Sequence, residues 1–244
     1  MKKANLNDLL EAGCHFGHQA KRWHPKAKPF LFDKKDGVHI FDLVKTKEQL
    51  EKAAQFLYDL AFQDKVVVFV GCKRQAQAVV TEEAKRAGMP YVTNRWLGGT
   101  LTNWQQIGSR VRRLKKLKEQ KEAGELKKYT KREQLDFDRE ITKLDRIVGG
   151  LQTMEDLPDG LLVVDIVREE VAIKEAKQAG IPVVAIVDSN SDPSLVDYPI
   201  PANDDAVGSI KFIVSFLADA ITEGRKAGQK KTEKKTKPKE KSGK

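Results

Sequence analysis

The run KVVVFVG, residues 65 to 71, is apolar and β-branched or aromatic at every position between its lysine and its glycine. A strand without a polar face is covered on both sides, as in a parallel sheet. The period then changes. Ala76, Val79, Val80, Ala84 and Ala87 recur at helical spacing and stop at Gly88, with Pro90 as a breaker. MPYVT begins another strand. The same grammar returns in GLLVVDIV (strand), REEVAIKEAKQAG (helix closed by Gly180) and IPVVAIVD (strand). Two such units predict right-handed crossovers and one α/β fold, a doubly wound parallel sheet. The earlier GVHIFDL segment is assigned to this sheet, with helices over 46–62 and from about 204 to 223.

Between the two units the pattern differs. Trp104, Ile107, Val111, Leu114 and Leu117 recur at steps of three and four in otherwise polar sequence, a narrow amphipathic stripe. After Ala123 and Gly124, Thr130 and Glu133 have capping-box spacing, and Leu135, Ile141, Leu144 and Val148 form a second stripe ending at Gly149 and Gly150. A sheet crossover rarely needs so many residues, so 103–150 reads as an inserted antiparallel helical hairpin whose two stripes bury each other. The expected organisation is a discontinuous α/β body, 1–102 and 151–224, the hairpin, and a Lys-rich tail, 225–244. The tail has one alanine as its apolar content and reads as disordered.

Charge alters this picture through its distribution. Lys and Arg outnumber Asp and Glu by 45 to 35, a formal +10, which suits a phosphate-rich partner. The excess is concentrated in 110–132 and 225–244, each a net +8, and the remaining residues together sum to −6. Cys14 and Cys72 lie far apart, which fits a reducing cytosol better than a disulfide framework. The N-terminus lacks the unbroken apolar stretch of an export signal and no window approaches a membrane span, so a soluble cytoplasmic protein is expected.

In CHFGHQAKRWHPKAKPFLF, residues 14 to 32, the cations Lys21, Arg22, Lys26 and Lys28 alternate with Phe16, Trp23 and Phe30. Cations bind phosphate and planar rings stack on bases; the alternative is a loop with buried rings and solvated lysines. The turn VGCKRQA places Lys73 and Arg74 at a helix start, where backbone N–H groups hold a phosphate, although it is neither G-x-G-x-x-G nor a P-loop. RWLGGTLTNW offers Arg95, Trp96, Asn94, Asn103 and Trp104 around a glycine pair, either gripping RNA backbone or anchoring the hairpin base. Arg110, Arg112 and Arg113 add the hairpin's cationic arm. Cys14, His15, His18 and His24 are weak candidates for zinc, without compact ligand spacing. Asp188, Asp204 and Asp205, with Asp192, are weak candidates for Mg²⁺, against plain capping and turn roles. No nucleophile elbow or H-E-x-x-H is present; no enzyme activity and no cofactor are expected.

The segments GCHFGHQAKRWHPKAKPFLF, VGCKRQAQ, RWLGGTLTN, LPDGLLVVD, IPVVAIVDSNSDP and DYPIPANDDA, in this order, resemble the bacterial small ribosomal subunit protein 2 family over most of residues 5 to 225. Cys14, His24, Trp104 and the Val207–Gly208 pair depart from its usual pattern, and the lysine tail is a variable feature. The resemblance implies a Rossmann-like sheet with an inserted coiled-coil hairpin, and a place on the solvent side of the small subunit between head and body. It also implies binding to small-subunit ribosomal RNA, and retention of the large, OB-fold-containing ribosomal protein one among neighbouring small-subunit proteins. It places Arg22, Trp23, Lys26, Lys73, Arg74, Arg95, Arg110, Arg112 and Arg113 on or near RNA. A ribosome-bound, non-enzymatic protein is expected, with no membrane partner and no homo-oligomer.

Overall fold

The computed structural model describes residues 3–236. In chain order its elements are α1 (Leu6–Glu11), β1 (Phe16–Gln19), β2 (Leu31–Lys35), β3 (Val38–Phe41), α2 (Leu43–Phe62), β4 (Val67–Val70), α3 (Arg74–Ala87) and β5 (Tyr91–Val92). There follow α4 (Trp104–Glu122), α5 (Lys131–Val148), β6 (Gly160–Val164), α6 (Glu170–Ala179), β7 (Val183–Val187), β8 (Tyr198–Pro201) and α7 (Val207–Thr236).

The apolar runs form a five-stranded parallel sheet in the order β5-β4-β6-β7-β8. Successive residues point to opposite faces, so each strand feeds two cores. Phe69, Leu162, Val184 and Ile200 face the layer of α2, α3 and α7. Val68, Val70, Leu161, Val163 and Ala185 face α6 and the base of the α4–α5 hairpin. Gly88 and Gly180 end α3 and α6 in the left-handed conformation, with φ +67° and +69°, as their sequence positions predict.

Two expectations are corrected. GVHIFDL does not enter the parallel sheet: β3 is the middle strand of a separate antiparallel sheet, β1-β3-β2. Its partner is the neighbouring strand β2, joined through Asp36 and Gly37, both at positive φ (51° and 79°), a tight hairpin turn. The parallel sheet instead gains β8. Pro199 and Pro201 sit in it because an edge strand pairs on one side only.

The last correction concerns the basic tail, expected to be disordered from 225. α7 continues through Thr236, while 237–244 lie outside the described residues. The reason is close packing on α2: a Cβ added at Gly224 would lie 2.4 Å from the Tyr58 carbonyl oxygen, and one at Gly228 2.4 Å from that of Phe62. Arg225 reaches back to the Gly88 carbonyl (3.4 Å), and Lys231 lies over the Phe62 ring (5.0 Å). Glycines four residues apart let two backbones meet, so little apolar side chain is needed there.

Candidate nucleic-acid interface

The aromatic and basic N-terminal segment wraps the small antiparallel sheet and docks on the turn after β7. The Ser189 hydroxyl accepts from the His18 N–H (2.8 Å), the Ser189 carbonyl accepts from the His24 N–H (2.7 Å), and Gly17 leaves no room for a Cβ beside Ser189 Oγ. So fixed, the segment presents Lys21, Arg22 and Lys28 to solvent, with Trp23 36 % exposed and its ring centroid 5.2 Å from that of His39. Lys26 is held differently: its ammonium lies 2.6 Å from Asp192 and 2.9 Å from Ser194 Oγ. Those bonds hold the Asp192 carboxyl at about 2, outweighing burial, which acts to raise it.

Relative to the first strand of the parallel sheet, the strand order reverses between β4 and β6, and in such folds that crevice takes the ligand. Here the chain's own charges fill it. Lys73, 9 % exposed, places its ammonium 2.6 Å from Asp204, 2.6 Å from Asp205 and 3.2 Å from Asp165. Burial disfavours that ammonium, yet Asp204, Asp205 and Asp165 together raise its pKa above the ordinary lysine value. Burial first, then Asp165 and Asp188, push Asp204 up to about 7. Glu169, beneath the turn, accepts from the Cys72 N–H (2.9 Å). Arg74, the first residue of α3, points outward and is exposed.

The glycine loop before the hairpin is organised from below. Glu175 of α6, 7 % exposed, accepts from the Gly99 N–H (2.7 Å), the Leu101 N–H (2.9 Å) and the Trp96 indole (3.4 Å). Trp96 is therefore buried as an anchor, and Trp104 donates to the Glu155 carbonyl (3.0 Å), which is the anchoring alternative for both rings. Arg95 and Asn103 remain exposed. On the hairpin Arg110 and Arg112 are exposed, whereas Arg113 is bidentate on Glu140, with two bonds of 3.0 Å.

The zinc and magnesium candidates are regrouped. Cys14 is buried beside Ser209, its thiol pushed up to about 11 by burial; His15 packs at a tilt on Phe16 (ring centroids 3.9 Å apart); His24 caps its turn by accepting from the Lys26 N–H (3.3 Å). His18 joins the carboxylates instead. Its ring nitrogens lie 3.0 Å from Asp188 and 3.3 Å from Asp205, and the bond to Asp188 raises its pKa. Among the described residues His18, Asp188, Asp204 and Asp205 are the gathering whose ligand atoms lie within 4.8 Å of one another. Lys73 supplies compensating charge there and the His18 ring bridges Asp188 and Asp205, so the cluster works as an internal clasp between β1, the turn after β7 and the start of α7. Asp165, Glu169, Glu175 and Ser189 went unnoticed in sequence, although Glu175 had a visible signal, an acid among Ala172, Ile173 and Ala176 on the apolar face of its helix.

The family described as ribosomal protein S2 matches residues 9–224. The small ribosomal subunit protein uS2 of Coprothermobacter proteolyticus is 54% identical over 226 residues, covering 93% of this chain and 84% of the relative. Those of Roseiflexus sp. and Dictyoglomus thermophilum are each 51% identical, covering 91% and 90% of this chain and 84% and 89% of theirs. The residues that build the docked N-terminal segment, the Lys73 turn and the glycine loop all fall within these matches, and the chain belongs to the ribosomal protein S2 family.

Proposed function

We propose that this protein is a structural constituent of the small ribosomal subunit that binds ribosomal RNA through two surfaces and performs no chemistry. One surface is the N-terminal platform of Lys21, Arg22, Trp23 and Lys28, with Lys26 at its edge; the other is the outer face of the inserted coiled-coil hairpin, Arg110 and Arg112, with Arg74 and Asn103 near its base. A third role, for the body, is to present a surface to neighbouring small-subunit proteins, ribosomal protein one among them. A single copy, ribosome-bound in the cytoplasm, suffices for this.

The observation that carries the reading is the contrast in how cations are used. Lys21, Arg22 and Lys28 are exposed in the segment that carries a partly exposed indole, and among the described residues none has a carboxylate within ion-pair distance. Free cations displace counterions from phosphate, and an adjacent ring stacks on an unpaired base. Lys73 is by contrast neutralised inside the crevice where a nucleotide would sit, which argues against a nucleotide-dependent enzyme. Among the described residues no helix is long and apolar enough to cross a membrane.

The test is sedimentation of ribosomal subunits with the full-length protein, followed by RNA binding across a salt series. Arg22→Ala with Lys28→Ala is expected to weaken binding and to reduce the salt slope by about 2, one for each phosphate contact removed. An unchanged slope would remove the N-terminal platform from the RNA surface.

A further inference from the structure

Helix α5 has two faces. Phe137, Ile141, Leu144 and Val148 turn toward α4, at least partly buried. The second face, Leu135, Arg139, Thr142 and Arg146 at steps of four, three and four, forms one wall of a groove that nothing among the described residues fills. The opposite wall is the loop Asn94–Leu97, with Gln77 of α3 behind it. The groove holds about 1110 Å³, and from Leu135 to Ile147 it extends about 18 Å at 1.5 Å per residue. That is the length of a helix of roughly three turns.

Its lining is specific in kind. The floor is aliphatic: Leu97 and Ile147, half-buried, and Leu135, 50 % exposed. The rim is cationic: Arg95, Arg139, Lys143 and Arg146, all exposed. Among the described residues Arg95, Lys143 and Arg146 have no carboxylate at ion-pair distance, and Arg139 meets only its exposed neighbour Asp136 at 3.4 Å. The single acid in the lining among the described residues, Asp138, is held by Lys121 at 2.8 Å. No aromatic ring among the described residues lines the groove, whereas single-stranded RNA sites combine a cationic groove with aromatic stacking platforms. An aliphatic floor between cationic rims instead matches a helix laid into a groove, its apolar stripe down and its acidic flanks facing the rims.

We propose that the groove between α5 and the loop Asn94–Leu97 docks an acidic amphipathic helix of a neighbouring small-subunit protein, which packs as a third helix against the hairpin. Arg95 then serves protein recognition rather than RNA. This rests on the small-subunit reading above but not on where the RNA lies.

The test uses small subunits assembled with the full-length protein carrying a photo-crosslinking benzophenone side chain at Thr142. The expected product joins Thr142 to one protein segment, identified by mass spectrometry, with apolar residues at helical spacing flanked by Asp and Glu. Lys143→Glu together with Arg146→Glu is expected to lower that crosslink about tenfold, as like charges meet across the groove, while incorporation into the subunit stays unchanged. A crosslink to RNA, to a segment without acidic flanks, or to nothing would overturn the proposal, as would a crosslink indifferent to the charge reversal. Absence of the unsubstituted protein from the subunit would overturn both this proposal and the small-subunit reading, so the two failures are told apart by sedimentation.

Discussion

The α/β body and the helical hairpin both rest on packed helices and are held together in opposite ways. In the body, Leu50 and Leu57 of α2 and Leu217 of α7 are wholly buried, and Gly224 and Gly228 bring backbone against backbone. In the hairpin, α4 buries Leu114 and Leu117 completely, but α5 answers with Ile141 and Leu144 only partly covered and Val148 alone fully buried. Charge pairs close the remainder: Arg113 with Glu140, Lys121 with Asp138 and Lys118 with Asp145. Burial of a large aliphatic side chain stabilises by roughly 1.5–3 kcal/mol, an exposed ion pair by less than about 1 kcal/mol. Aliphatic burial therefore dominates in the body, which also covers the hairpin base, while the outer hairpin is a presented surface whose cohesion depends on ionic conditions.

The strongest challenge to that contrast is Lys73→Met. Removing the ammonium leaves Asp204 buried against Asp165 and Asp188, and the expected loss is about 3–5 kcal/mol in urea unfolding. A loss comparable to that of a surface lysine would show that the clasp does not hold the body. Next, Leu57→Ala in the body should cost about 2–5 kcal/mol, and Leu144→Ala in the hairpin about 1 kcal/mol because its side chain is half covered already. Equal losses would mean the hairpin is packed like the body.

A pH series sharpens the comparison further. Asp204 is raised from 3.8 to about 7, so between those values the native state keeps a proton that the unfolded chain has released. Stability from this group therefore falls as pH rises through that window, with a slope of at most about 1.4 kcal/mol per pH unit. His18, also raised, adds loss of the same sign as pH climbs past its ordinary 6.5. Asp192 and Asp205, lowered by Lys26 and Lys73, oppose this only as pH drops below the ordinary carboxylate range. Asp204→Asn is expected to flatten the profile between 4 and 7, and an unaltered profile would dissociate it from the clasp. The smallest effect belongs to the hairpin: Arg113→Ala should cost less than about 1 kcal/mol, and that cost should shrink in high salt.

Much of the fold could be read from the chain because β4, β6 and β7 are apolar at nearly every position, and because Gly88 and Gly180 stop their helices where only glycine fits easily. The antiparallel sheet was also legible in part: Asp36-Gly37 between two strand-like runs is a hairpin signal, overlooked because GVHIFDL also suits a parallel strand. β8 was concealed by its prolines, which count against a strand unless its place at the edge is already known. The helical run past residue 224 was concealed because its packing comes from absent side chains, and apolar periodicity registers only present ones. For the candidate site, sequence gave residue types but not exposure. Lys73 and Lys28 look equally available in the chain, yet one lies among three carboxylates and the other faces water.

The dock of the N-terminal platform on Ser189 also sets a schedule. His18 and Ser189 are 171 residues apart, and at 5–20 residues per second a ribosome needs roughly 10–30 s to travel between them. For that interval a nascent chain displays Lys21, Arg22 and Trp23 without the surface that orders them. The newborn protein is thus a loose polycation before it is a shaped one, and its first encounters with RNA are governed by ionic strength and crowding, with fit deciding only once synthesis has passed β7.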